Sequence, residues 1–319
     1  MMVLDELLAR RLVVLSGKGG VGKSVVGTAL ALAAHARGKR VLLVEVEAPR
    51  EAAQYLGVHT RVGSHVTEVM PGLSVVNLDP DAVMAEYITE TVYIEALARR
   101  ILDSVVYQRF YAAAPGLPEL MVLGKIMTLV EAREGRGRRP RYDLVIVDAP
   151  ATGHGLAFLK VPLKASIAIP VGPVGNNARK ILALLRDAKR TALALVAIPE
   201  EMAVVEAIEF HEMAKVELEM QPVAMFLNAA HEPRLTPAQE SEVMRLAAQG
   251  AEGRLAPGVD LKGALPAARR HVRRRKMTAF YRRLLERSLP TPLVVLPYLF
   301  SEELDLAALR VLAARMEAA

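Results

Sequence analysis

Cysteine is absent from the 319 residues. That excludes a disulfide framework, an iron–sulfur cluster, a cysteine nucleophile and any Cys-ligated zinc site. It also fits a reducing compartment. Tryptophan is absent, and aromatic residues make up only 4%. Little is left for a stacking surface on single-stranded nucleic acid, so a nucleic-acid partner is not expected. No run reaches the ~18 uninterrupted apolar residues of a membrane span. Asp5, Glu6, Arg10 and Arg11 interrupt the N-terminus, which does not read as a signal peptide. A soluble, cytoplasmic protein is expected. What is present is a globular composition, 52% hydrophobic and 24% charged, able to bury a core without covalent staples. The formal net charge is +6, and its meaning depends on where the cations cluster.

Leu12 to Leu15 is a short apolar run before a glycine-rich turn, the pattern of a buried parallel strand. Ser24 to Ala36 reads as a helix ending at Gly38, and Val41 to Val44 as the next strand. Strand, glycine turn, helix and strand make a βαβ unit. Further buried strands are predicted at Val75–Leu78, Leu144–Val147, Ala165–Ile169, Ala192–Ile198, Val223–Leu227 and Leu293–Leu296. Helices are predicted over 176–190, 200–219, 236–249, 266–288 and 302–317. The alternation predicts an α/β fold with a doubly wound, mostly parallel sheet. Residues 81–132 lack strand-like runs and read as a helical insertion within one domain spanning 1–319. Arg133 to Arg141 is a Gly/Arg-rich connector.

Gly17-Lys18-Gly19-Gly20-Val21-Gly22-Lys23-Ser24 satisfies G-x-x-x-x-G-K-[ST] between a strand and a helix. The glycines let backbone N–H groups turn onto phosphate oxygens, and the helix N-terminus adds a favourable dipole. The candidate phosphate-binding residues are Gly17, Gly19, Gly20, Val21, Gly22, Lys23, Ser24 and Val25. Lys23 is expected to reach the β- and γ-phosphates, and the Ser24 hydroxyl to ligate Mg²⁺. Asp148 ends the apolar run of Tyr142 to Asp148, where a Walker B carboxylate oriented on Mg²⁺ would stand. The turn after it, through His154, is placed to sense a γ-phosphate.

Lys18 makes the loop resemble the deviant Walker A class, in which a second lysine crosses a dimer interface to the partner's nucleotide. The run DAPATGHGLAFLKVP, starting at Asp148, resembles the switch II segment of ATPases that drive arsenical pumps (ArsA) and of relatives that target tail-anchored membrane proteins. Pro115–Glu131 is similar to a family segment after the helical insertion, and Thr191–Ala214 resembles a later strand, loop and helix of the same family. The resemblance implies an ATP-dependent P-loop dimer that opens and closes. It also implies that Asn228 recognises adenine and that Pro297 flanks it. Glu47 falls where the family's switch I carries an aspartate that positions the attacking water, and it is one methylene longer.

Ala268 and His271 stand where the targeting ATPases have the Cys-x-x-Cys of a zinc clamp, so a zinc-held dimer is excluded. Without cysteine, thiol-based activation by metalloid is excluded as well. A homodimer, or a heterodimer with a paralogue, held by nucleotide remains. Met84, Met121 and Met127 in the insertion suit a groove for a hydrophobic-helix client, or ordinary core packing. Arg269 to Lys276, extended by Arg282 and Arg283, is a basic run open to an acidic partner, anionic lipid, nucleic acid or a solvated helix face. Three outputs stay open: membrane targeting or transport, a ParA/MinD-like positioning ATPase, and a weakly hydrolysing nucleotide-gated scaffold.

Overall fold

The computed structural model describes residues 2–46, 51–58, 63–92, 94–105, 107, 109, 114–135, 139–150, 152–249, 254–256 and 259–319. Its strands are β1 (Leu12–Ser16), β2 (Val41–Val46), β3 (Thr67–Met70), β4 (Leu73–Leu78), β5 (Arg133–Glu134), β6 (Arg139–Pro140), β7 (Leu144–Asp148), β8 (Thr191–Ala197), β9 (Pro222–Ala230), β10 (Arg254–Ala256), β11 (Val259–Asp260) and β12 (Leu293–Pro297). Eight of them form one sheet in the order β12-β9-β8-β1-β7-β2-β4-β3. Every pairing in it is parallel except β3 with β4.

β1, β2, β7 and β8 are buried along their whole length. Helices cover both faces, so these strands need apolar residues on both and read as unbroken hydrophobic runs. The helix Lys23–Ala36 follows the glycine loop, and its Ala/Leu/Val side chains are nearly all buried. Gly27 lets it approach β1, since a Cβ there would lie 3.0 Å from the Leu15 side chain. The helix Leu306–Glu317 packs against Lys23–Ala36.

The apolar run Ala165–Ile169 is not a strand. Residues 165–168 are the last turn of the helix Thr152–Ala168. Ile167 there is 72% exposed, which a buried strand residue never is. A short apolar run does not by itself distinguish strand from helix. The edge strand β3 went unpredicted because it is polar and only half buried. The connector at 133–141 holds the small β5–β6 hairpin. Between β4 and β7 stand the helices Pro80–Val92, Glu95–Leu102 and Leu117–Glu131. Among the described residues no helix is long and apolar enough to cross a membrane.

Candidate nucleotide-binding site

The parallel strands all present their C-terminal ends at one edge of the sheet, and the sheet order diverges on either side of β1, where ligands of such sheets bind. β1 runs straight into the loop from Gly17 to Gly22. Gly17 lies against β8: a Cβ there would stand 2.2 Å from the Val196 carbonyl oxygen. Gly20 and Gly22 adopt φ of 79° and 82°, the left-handed region that glycine enters cheaply. Gly19 and Gly20 are exposed at the loop tip, while Val21 is buried.

Lys23 opens the helix with a buried side chain. Its ammonium donates to the Gly17 carbonyl at 3.0 Å and the Lys18 carbonyl at 3.2 Å, so the charge curls over the loop's mouth. The Ser24 hydroxyl donates to Asp148 Oδ2 at 2.6 Å. Register puts Asp148 beside Leu15, which brings the carboxylate to the loop. Two hard oxygen donors from different elements, one of them a buried carboxylate, fit Mg²⁺. Glu45, fully buried on β2, pairs in register with Asp148 and accepts from the Ala52 N–H at 2.9 Å. Its only signal in the sequence was a charge inside an otherwise apolar strand. Glu47 lies outside the described residues, and so do the side chains of Thr152 and His154.

Lys18 turns away from the mouth. Its ammonium meets Glu206 Oε1 at 2.6 Å, on the helix Glu201–Met213 that follows β8. Met202, one turn earlier on the same face, is 61% exposed, and Val205 is exposed beside it.

A cavity of about 660 Å³ opens beside Gly20, Val21 and Gly22, a size suited to a nucleotide's base and sugar. Val25, Asn228 and Pro297 line it, together with His231, Arg274 and Tyr298. Asn228 is buried and its Nδ2 donates to the Val21 carbonyl at 2.9 Å, tying the end of β9 to the loop. A Cβ on Gly22 would come within 2.4 Å of that nitrogen. β12 pairs with β9 so that Pro297 stands opposite Ala230. Tyr298 then stacks on His231, with ring centroids 4.7 Å apart and planes 13° apart. His231, Arg274 and Tyr298 were not found from the sequence, because none belongs to a local motif.

Burial holds the His231 imidazole below its ordinary range, helped by Arg274, His271 and Arg234. The unfolded chain therefore binds a proton at a pH where the folded chain does not. The stabilisation is complete above the ordinary histidine value of about 6.5 and is lost as pH falls from there toward the folded value. Thermal melts between about pH 7.5 and about pH 5.5 should show the wild type losing more stability than His231→Gln. Equal losses would mean that His231 does not titrate differently on unfolding.

The model of the anion-transporting ATPase family matches residues 10–170. The chain is 33% identical over 318 residues to the ATPase BagA of Mycobacterium tuberculosis, covering 96% of this chain and 92% of that one. It is 27% identical over 223 residues to the arsenical pump-driving ATPase of Escherichia coli, covering 65% of this chain and 37% of that one. The ATPase get3 of Schizosaccharomyces japonicus is 28% identical over 162 residues, 50% of this chain and 46% of that one. With the loop, its buried lysine and the carboxylate at the strand end in place, these matches give the identity: the chain belongs to the ArsA ATPase family and is an ATP hydrolase.

Proposed function

We propose that the chain is a Mg²⁺-dependent, ATP-driven dimeric switch, built as one ATPase domain with a helical insertion over 81–132. The observation that carries this is the division of labour between its two loop lysines. Lys23 is buried over the phosphate mouth, whereas Lys18 sits at a surface flanked by exposed Met202 and Val205. A lysine placed there serves a second protomer better than its own.

In this reading the N–H groups of Gly17 to Ser24 and the Lys23 ammonium bind the β- and γ-phosphates. Ser24 and Asp148 hold Mg²⁺, which neutralises charge on the phosphates when bound. Asn228 and Pro297 border the adenine. Glu47 orients water. Lys18 leaves Glu206 and stabilises transition-state charge across the interface, as an arginine finger does.

The output is membrane-protein targeting or transport. A second, largely apolar cavity of about 480 Å³ supports it. Met84, Met121 and Met127 line that cavity with Tyr87, Leu120 and Ile181, between the insertion helices and the helix Gly172–Arg186. Adaptable methionines suit a hydrophobic helix as client.

The test is MgATP hydrolysis across a range of protein concentrations. Specific activity is expected to rise with concentration in the wild type and to collapse in Lys18→Ala. In Glu206→Gln the rise should shift to lower concentration, because Lys18 is released. A flat, near-zero rate with ATP still bound would overturn the homodimer and leave a scaffold or a paralogous partner.

A further inference from the structure

The helix Leu261–Ser288 carries ten of the chain's 41 lysines and arginines against a single carboxylate, Glu286. The chain as a whole has 35 carboxylates, so everything outside this helix is net acidic. The protein's positive charge is thus concentrated on one rod about 42 Å long.

The cations are not equivalent. Arg275 is committed to Glu240 at 2.6 Å and Arg282 to Glu286 at 2.8 Å. Arg273, Lys276, Arg283 and Arg287 are exposed and form no ion pair among the described residues. With Phe280 they recur at helical spacing along one outward stripe. Phe280, at the stripe's centre, is 58% exposed.

We infer that this stripe docks the protein on an anionic lipid surface. Charge complementarity requires an anionic partner, and the phenylalanine selects among anionic partners. A row of nucleic-acid phosphates rewards the four cations and leaves Phe280 in water. A bilayer interface rewards both, with the ring at the acyl boundary and the cations among headgroups. The stripe lies beside the nucleotide cavity, since Arg274 and Met277 of the same helix line that cavity. It shares no residue with the cavity and does not depend on the role of Lys18.

The test is co-sedimentation of the full chain with phosphatidylcholine vesicles, with and without about 30% phosphatidylglycerol. Binding is expected only to the anionic vesicles and should weaken with added salt. Lys276→Glu with Arg283→Glu should lower it about tenfold or more. Phe280→Ala should lower it several-fold, whereas Lys189→Glu, an exposed lysine elsewhere, should leave it unchanged. Thermal melts confirm folding, and Phe280→Ala tests the idea alone if the charge-reversed chain does not fold. Two results would overturn the inference: no binding to anionic vesicles, or binding indifferent to the double reversal. Binding indifferent to Phe280→Ala and competed by duplex DNA would also overturn it, in favour of a nucleic-acid face.

Discussion

Lys23→Ala is expected to lower ATP turnover by about a thousandfold or more, in line with losing a preorganised charge at the developing transition state. The ammonium is buried and held at 3.0 Å and 3.2 Å by the loop's own carbonyls. It is therefore positioned before any phosphate arrives. Lys23→Arg should not rescue, because a planar guanidinium cannot replace a compact ammonium within this loop. Turnover at saturating ATP and nucleotide affinity measured separately would show whether the loss falls on chemistry or on binding. Activity within about tenfold of wild type would remove the Gly17–Ser24 loop from the phosphate site.

Gly17→Ala should be the most destabilising small substitution in the loop. The added methyl carbon would meet the Val196 oxygen at 2.2 Å, with the Val196 carbonyl carbon at 3.1 Å and nitrogen at 3.3 Å. All three are backbone atoms of β8, a central strand, and cannot rotate aside. Relief requires β1 and β8 to part, at a cost of about 4 kcal/mol or more. That corresponds to a fall in melting temperature of roughly 6 °C or more for a chain of this size. Gly20→Ala is the internal comparison. It meets nothing within 4 Å and faces only the strain of φ 79°, about 1–2 kcal/mol. If the two variants melt together, the close packing of the loop on β8 is wrong.

The proposed phosphate end of the site was legible because its chemistry is local. Eight consecutive residues supply the turn, the donors and the lysine, and a strand before and a helix after them place the loop. Asp148 was legible for a related reason: a carboxylate ending a buried apolar run has few other places to be. The proposed base end was legible only in Asn228 and Pro297, and these through family resemblance. Its remaining wall joins His231, Arg274 and Tyr298 from separate elements, and no spacing rule links them. The contact of Lys18 with Glu206 spans 188 positions and leaves no trace in either local sequence. The buried strands declared themselves as apolar runs. The same criterion placed Ala165–Ile169 among them, although its isoleucines face outward from a helix end.

The cavity beside the loop has a consequence for the order in which the molecule is made. Synthesis delivers the Gly17–Ser24 loop well before β12. The far wall, by contrast, comes from β12 and the residues after it, through Leu312. Until that stretch emerges, β9 is an uncovered sheet edge and the helix Lys23–Ala36 lacks the Leu306–Glu317 helix against its side. The Gly17–Ser24 loop thus precedes the far wall of the cavity beside it by most of the sequence. On the proposed site, tight nucleotide binding waits on β12 and the residues through Leu312 that complete the cavity.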